Sequence, residues 1–241
     1  MRVLVERGSG ADALWAVGQR VSLDESEVHH LRVRRAKDRE IVEILDGAGL
    51  RGTGRLLQAG KQWSVEVQSA HHEPRPAELT LAVAAGDRDR FSWMVEKAVE
   101  LGVTRIVPLE TGRSIGVATG IRAAHLRRLR RHALEATKQC GVAWAVQVEE
   151  PLSFADFRGR PLVGSGWLAD RAGAPPPTRL GENALTVVIG PEGGFADAER
   201  TGLVAAGYLP IVLGPHALRF ETAALAAAAL ATTARMRGSH D

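Results

Sequence analysis

The chain has one cysteine, Cys140, in 241 residues, which excludes an internal disulfide and points to a reducing compartment, the cytoplasm. Long hydrophobic runs are also missing. The opening Met1-Arg2-Val3-Leu4-Val5-Glu6 has no signal-peptide hydrophobic stretch, and the longest alanine-rich uncharged run, residues 223–234, falls short of the about 20 apolar residues that a membrane span needs. No membrane partner is expected. Metal-ligating patterns are sparse. There is no thiolate cluster and no His-Glu-x-x-His, and the pairs His29-His30 and His71-His72 are adjacent residues whose side chains point to opposite sides in extended chain. No metal is therefore expected. No nucleophile elbow is present, and Cys140 lies in a helical apolar stripe that predicts a buried, inert thiol. A P-loop would need a Lys-Ser/Thr pair after its last glycine, where this chain has Phe195-Ala196, and the glycine loop at residues 190–194 lacks the dinucleotide spacing Gly-x-Gly-x-x-Gly. A phosphate ligand is disfavoured there.

What is present concentrates at two strand-to-helix junctions, residues 186–195 and 209–223. In each, β-branched and aliphatic residues read as a buried strand, a glycine (Gly190 or Gly214) ends it where the backbone turns or meets a ligand, and a helical pattern follows. Gly190, Gly193 and Gly194 surround Pro191 and Glu192, leaving backbone N–H and C=O groups open to something small and polar. Taken alone, that loop reads either as a structural turn or as a binding loop. Two such junctions read as two walls of one pocket.

The length exceeds one typical domain of roughly 100–200 residues, and 45% apolar content can form real cores. Residues 1–72 show short strand-like stretches (40–45, 55–57, 63–67) with turns at Asp46-Gly47-Ala48-Gly49 and Gly60-Lys61, a small β-rich, barrel-like module. Prolines 74 and 76 mark a linker, so the boundary is placed at 72/73. Strand 78–84, helix 92–101 ending at Gly102, and strand 105–109 then form a βαβ arrangement that suggests a parallel sheet. A helix is predicted over 123–140 with Gly141 as its stop, and a strand over 161–168. Residues 158–177, with Pro175-Pro176-Pro177, read as that strand followed by an irregular, flexible connection.

Net charge is only +3, but the arginines cluster. Arg122, Arg127, Arg128, Arg130 and Arg131 crowd the predicted helix, while Arg32, Arg34, Arg35, Lys37 and Arg39 crowd a predicted strand-turn segment. These are either ordinary solvated faces or sequence-independent contacts to a nucleic-acid backbone.

The blocks 189–195, Leu213-Gly214, Leu218-Arg219-Phe220-Glu221-Thr222-Ala223 and 97–108 occur in order, and together with His29 to Arg34 and Asp46-Gly47 they resemble the RsmE family. Its members are bacterial N3-methyltransferases of small-subunit ribosomal RNA uridine. The resemblance implies an α/β, SPOUT-type, trefoil-knotted parallel-sheet methyltransferase domain over 73–241, preceded by a small PUA-like β-barrel RNA-binding domain over 1–72. It further implies S-adenosylmethionine as cofactor, ribosomal RNA or the small ribosomal subunit as partner, and a homodimer. The alanine-rich helix after Thr222 offers small side chains for close helix approach between protomers. The chain departs from the family pattern at His216, at Phe220 (usually threonine), at Val142 (usually arginine after Gln139-Cys140-Gly141) and at Ala196. Without the usual serine, Ala196 breaks a Ser-x-x-Glu capping box with Glu199 and leaves Asp197 as the expected cap.

Carried onto this sequence, the cofactor contacts are Ile189, Gly190, Pro191, Glu192, Gly193, Gly194, Leu213, Gly214, Leu218 and Thr222, while the arginine cluster offers Arg32, Arg34 and Arg35 as RNA contacts. Methyl transfer from a sulfonium needs mainly in-line positioning. A uridine N3 must also lose its proton, so a cation beside the carbonyl oxygens would help; Arg219 is assigned to it. Glu221 reads either as the proton acceptor or as a carboxylate stabilised at a helix N-terminus and paired with Arg219. Glu192 reads as orienting its loop. Two other readings stay open: a methyltransferase of the same fold for ribose 2′-hydroxyls or transfer RNA, and a non-catalytic RNA-binding protein that lost the cofactor.

Overall fold

A computed structural model describes residues 1–5, 15–84, 86–113 and 121–238. The chain divides into two units, Met1–Pro76 with Thr137–Ala145, and Ala77–Ala136 with Val146–Asp241.

The first unit holds a five-stranded mixed sheet of β1 (Arg2–Leu4), β2 (Arg20–Ser22), β3 (Ile41–Leu45), β4 (Leu50–Ala59) and β5 (Gln62–His72) in the order β1-β3-β4-β5-β2. Only β1 and β3 run parallel; the other pairs are antiparallel. β4 is far longer than the predicted 55–57, because Gly52 and Gly54 are strand residues and not breakers. A Cβ on Gly52 would stand 2.0 Å from the Ser69 carbonyl and one on Gly54 2.2 Å from Val65, so glycine permits the close, bulged pairing of β4 with β5. Gly47, Gly49 and Gly52 do have Gly-x-Gly-x-x-Gly spacing, yet the first two lie in the β3–β4 connection and Gly52 in β4, with a strand and no helix following.

Between β2 and β3 lies α1 (Glu25–Val33), started by Asp24, whose side chain accepts the Glu27 N–H at 2.7 Å. The Arg32–Arg39 cluster is therefore helix-turn, not strand-turn, and His29-His30 sit on a helix, not in extended chain. Arg35 and Arg39 bracket the turn with φ of +53° and +65°, a conformation that side chains other than glycine seldom adopt. Glu27 of α1 and Lys138 form a buried ion pair at 2.6 Å. Arg2 donates to the Gln139 carbonyl and Arg51 to that of Gly141, where φ is +73°, satisfying carbonyls at a helix end.

The second unit is built on β6 (Leu79–Ala84), β7 (Arg105–Glu110), β8 (Gln147–Val148), β10 (Ser165–Ala174), β11 (Leu185–Ile189) and β12 (Tyr208–Ile211), ordered β12-β10-β11-β6-β7-β8, with β9 (Leu152–Ser153) also on β7. All of these pairs are parallel. Strands covered on both faces read as continuous hydrophobic runs, and every residue of β6 is buried. One face packs Leu79, Leu81, Val83, Val187 and Trp167 against α2 (Arg88–Glu100), α3 (Ala123–Cys140, which belongs to this unit through Ala136) and α6 (Phe220–Gly238). The other packs Ala82, Val107, Leu168 and Val188 against Phe157 of α4 (Phe154–Gly159) and Leu203 of α5 (Asp197–Ala205).

Several expectations change here. β10 starts at Ser165 rather than 161 and runs to Ala174, so most of the stretch after residue 168 that reads as an irregular connection is strand. Cys140 is exposed, not buried, because the helix ends at that residue and the chain turns at Gly141. Four alanines of α6, Ala224, Ala227, Ala228 and Ala231, are fully buried in the unit's own core. Their small size lets α6 approach the sheet and α2 closely within this unit. Among the described residues no helix is long and apolar enough to cross a membrane.

Candidate active site

β11 ends at Ile189 and is followed by Gly190, and β12 is followed by Val212, Leu213 and Gly214. Because the sheet order places β10 between β11 and β12, both glycine junctions flank the carboxyl end of β10. Ligands of parallel α/β sheets bind outside the carboxyl ends of the strands, and a cavity of about 320 Å³ lies there. Its walls are Leu168 to Arg171 from β10, Ile189 to Glu192 with Gly194 and Phe195 from the first junction, and Val212 to Gly214 with residues 216–218, Phe220 and Ala223 from the second.

The glycines serve different purposes. A Cβ on Gly190 would stand 3.0 Å from the Phe195 ring, so its absence lets that ring close over the turn. Gly194 has a φ of +67° and donates its N–H to the Pro191 carbonyl at 2.8 Å, closing the turn around Glu192 and Gly193. Gly214 lies against Leu218 with space to spare. Beyond the loop, the N-cap of α5 is Ala196, not Asp197. Its methyl group accepts nothing, but the Glu199 carboxylate accepts the Ala196 N–H at 2.8 Å, so half of the capping box survives without the serine. The other Glu199 oxygen accepts the Gly112 N–H at 3.1 Å, and Arg113 donates to the Gly193 carbonyl, tying the end of β7 to the glycine loop.

Of the residues assigned from the sequence, Ile189, Gly190, Pro191, Glu192, Gly194, Leu213, Gly214 and Leu218 line the cavity; Gly193 and Thr222 do not. Arg219 and Glu221 stand just outside the lining at the start of α6. Arg219 is exposed and its side chain makes no ion pair or hydrogen bond among the described residues. Glu221 is buried, and its pairing is with Arg90 of α2 at 4.0 Å, not with Arg219. Arg32, Arg34 and Arg35 belong to the first unit and are exposed.

Sequence reasoning missed β10's contribution. Asp170 accepts the Ala172 N–H at 2.9 Å with one carboxylate oxygen and Arg200 with the other. Burial pulls this carboxyl upward, but the Ala172 N–H and the Arg200 guanidinium outweigh it and hold the group below the usual carboxylate range, as a fixed anion on the cavity wall. No glycine signature announces it. The one available signal was an acidic residue directly after the apolar run Trp167-Leu168-Ala169. Phe220, the departure from the usual threonine, lines the cavity and also serves the core. It is buried, stacked on Phe91 with ring centroids 6.3 Å apart, and lies 3.2 Å from where a Gly86 side chain would begin. The bulky replacement is absorbed by the core between α2 and α6 while it also closes the cavity.

The RNA methyltransferase domain family matches residues 73–232, and the RNA methyltransferase PUA domain family matches residues 23–62. The chain is 31% identical over 218 residues to the ribosomal RNA small subunit methyltransferase E of Synechocystis sp., covering 84% of this chain and 69% of that protein. Among solved structures, the ribosomal RNA small subunit methyltransferase E of Neisseria gonorrhoeae bound to S-adenosyl methionine superposes with a TM-score of 0.84 at 27% identity over 97% of both chains. A methyltransferase of Legionella pneumophila in complex with the bound cofactor SAM gives the same TM-score at 26% identity, again over 97% of both. The parallel-sheet SPOUT-type unit and the PUA-like mixed-sheet unit of the expected fold class are thus both present, and the chain belongs to the RsmE family of ribosomal RNA small subunit methyltransferases.

Proposed function

We propose that this protein transfers a methyl group from S-adenosylmethionine to N3 of a uridine in small-subunit (16S) ribosomal RNA. The observation that carries the reading is the convergence of both glycine junctions on one cavity at the carboxyl ends of β10 and β11 and beyond β12. Its volume lies at the lower end of the about 300–1000 Å³ of small-molecule sites. Apolar walls from Leu168, Ile189, Leu213 and Leu218 suit a nucleoside ring, bare backbone at Gly190 and Gly214 suits its polar edges, and Asp170 and Glu192 offer anions to a sulfonium. When bound, the cofactor supplies an activated methyl group.

The remaining work belongs to the chain. Arg219, exposed and unpaired among the described residues, donates to a carbonyl oxygen flanking N3 and stabilises the charge that develops as the N3 proton leaves. Glu221 takes that proton directly or through water: its Oε2 is buried and has no hydrogen-bond partner, an acceptor held open. Arg32, Arg34 and Arg35 hold the RNA backbone from the first unit. The protein works in the cytoplasm as a homodimer. A micromolar solution that scatters light as a monomer would reject the dimer.

Nucleoside mass analysis of ribosomal RNA from cells lacking this protein tests the whole reading. Loss of one N3-methyluridine from the small subunit is expected. Loss of a 2′-O-methyl nucleoside or of a transfer RNA modification would point to another position, and an unchanged profile, with no cofactor affinity, to a binding protein.

A further inference from the structure

Adjacent residues of α2 and α6 meet twice. Phe91 and Phe220 stack in the core, and that stack fixes the register in which the preceding Arg90 meets the following Glu221. The Arg90 guanidinium stands 4.0 Å from Glu221 and 3.7 Å from Glu192 of the glycine loop. It makes no hydrogen bond to either, while Glu221 Oε2 is buried without a partner. One cation is therefore shared between the loop that lines the cavity and the carboxylate beside it. Local physics does not explain the arginine: Arg90 lies in the first turn of α2, where the positive end of the helix dipole disfavours a cation. A residue that breaks a local rule without local gain marks a functional demand.

We infer that Arg90 is a positioning residue that links the glycine loop to Glu221, so that ordering the loop around the cofactor also sets the proton acceptor. The inference rests on the proposed reaction. Glu221 accepts the N3 proton, the freed nitrogen pair forms the new bond to the methyl carbon, and the methyl–sulfur pair leaves with sulfur. Arg90 touches none of the reacting atoms. Its planar fork spans two carboxylates at once, which a lysine point charge does less well.

Single-turnover methyl transfer at saturating RNA and cofactor tests this. Arg90→Ala should slow the step on the order of a hundredfold, the cost of misplacing a reacting group by about 1 Å, and Arg90→Lys should recover part of it. Residues acting as a unit are non-additive, so Arg90→Ala with Glu221→Gln should be no slower than Glu221→Gln alone. A wild-type rate for Arg90→Ala, or losses that multiply in the double variant, would overturn the inference. Should Arg90→Ala fail to fold, Glu192→Gln, at an exposed loop position, carries the same test: its loss must vanish in the Glu221→Gln background, and a multiplied loss overturns the link. Wild-type calorimetry with S-adenosylmethionine keeps the two claims apart, since absence of binding there rejects the proposed function, whereas binding and turnover with an indifferent Arg90 reject only the link.

Discussion

In the first unit Arg34 and Arg35 stand exposed beside Arg32, whose guanidinium donates to the Lys61 carbonyl at 3.0 Å, whereas in the second unit Arg90, Arg105, Arg160 and Arg200 each face a carboxylate. The contrast separates two uses of one side chain. An exposed arginine contributes charge with little geometry, which suits a phosphate backbone and fades with salt. An arginine facing a carboxylate holds two elements in place, and its worth depends on position and not on ionic strength alone. Glu149, held by Arg160 and Arg105, shows the second use plainly: burial raises its carboxyl, yet the two guanidinium groups outweigh burial and keep it below the ordinary range. Arg219 beside the cavity and Arg171 on its wall are both unpaired among the described residues, as groups waiting for a substrate would be.

Variants can break that contrast at several points. The largest effect should come from Arg219→Ala, a loss on the order of a hundredfold or more in the single-turnover step with RNA binding nearly unchanged, as for oxyanion-type donors. A wild-type rate would make Arg219 structural. Next, Gly214→Val adds volume at a wall where the glycine has only Leu218 as neighbour. Overpacking of about 1–3 kcal/mol should weaken S-adenosylmethionine binding roughly ten- to a hundredfold by calorimetry while the melting temperature holds. Unchanged affinity would remove the pocket assignment.

Smaller effects should follow from charge alone. Replacing Arg32, Arg34 and Arg35 together by alanine should flatten the salt dependence of RNA binding, by roughly one unit of log-log slope or less per lost phosphate contact, with cofactor affinity intact. An unaltered slope would return these arginines to ordinary surface. The smallest effect concerns Asp170. Its folded-state carboxyl titrates below the unfolded value, so its contribution to stability is present above the ordinary Asp range and is lost as pH falls through the folded value. The melting-temperature gap between wild type and Asp170→Asn should therefore be widest near neutral pH and close on acidification, and a gap that widens in acid would contradict the pairing with Arg200.

Legibility in the sequence followed the same division. α3 was read to its terminal residues, 123–140, because apolar spacing and a stop glycine are local signals. The glycine junctions were readable because bare backbone has its own composition. β4 was truncated since Gly52 and Gly54 signal a turn locally, and only the neighbouring β5 explains why they belong in a strand. Asp170 and Arg90 were invisible for a related reason. Each is defined by a partner distant in sequence, Arg200 for one and both Glu192 and Glu221 for the other. The packing role of Phe220 is equally hidden, because its partner Phe91 lies on another helix.

The central claim is that the cavity at β10, β11 and β12 serves methyl transfer to a uridine base nitrogen. The most direct measurement incubates the purified protein with small ribosomal subunits from cells lacking it and with S-adenosylmethionine labelled in its methyl group, then digests the RNA and identifies the labelled nucleoside by mass. The account predicts a single labelled species, N3-methyluridine. Label in a 2′-O-methyl nucleoside, or no label from a protein that still binds the RNA, would contradict it.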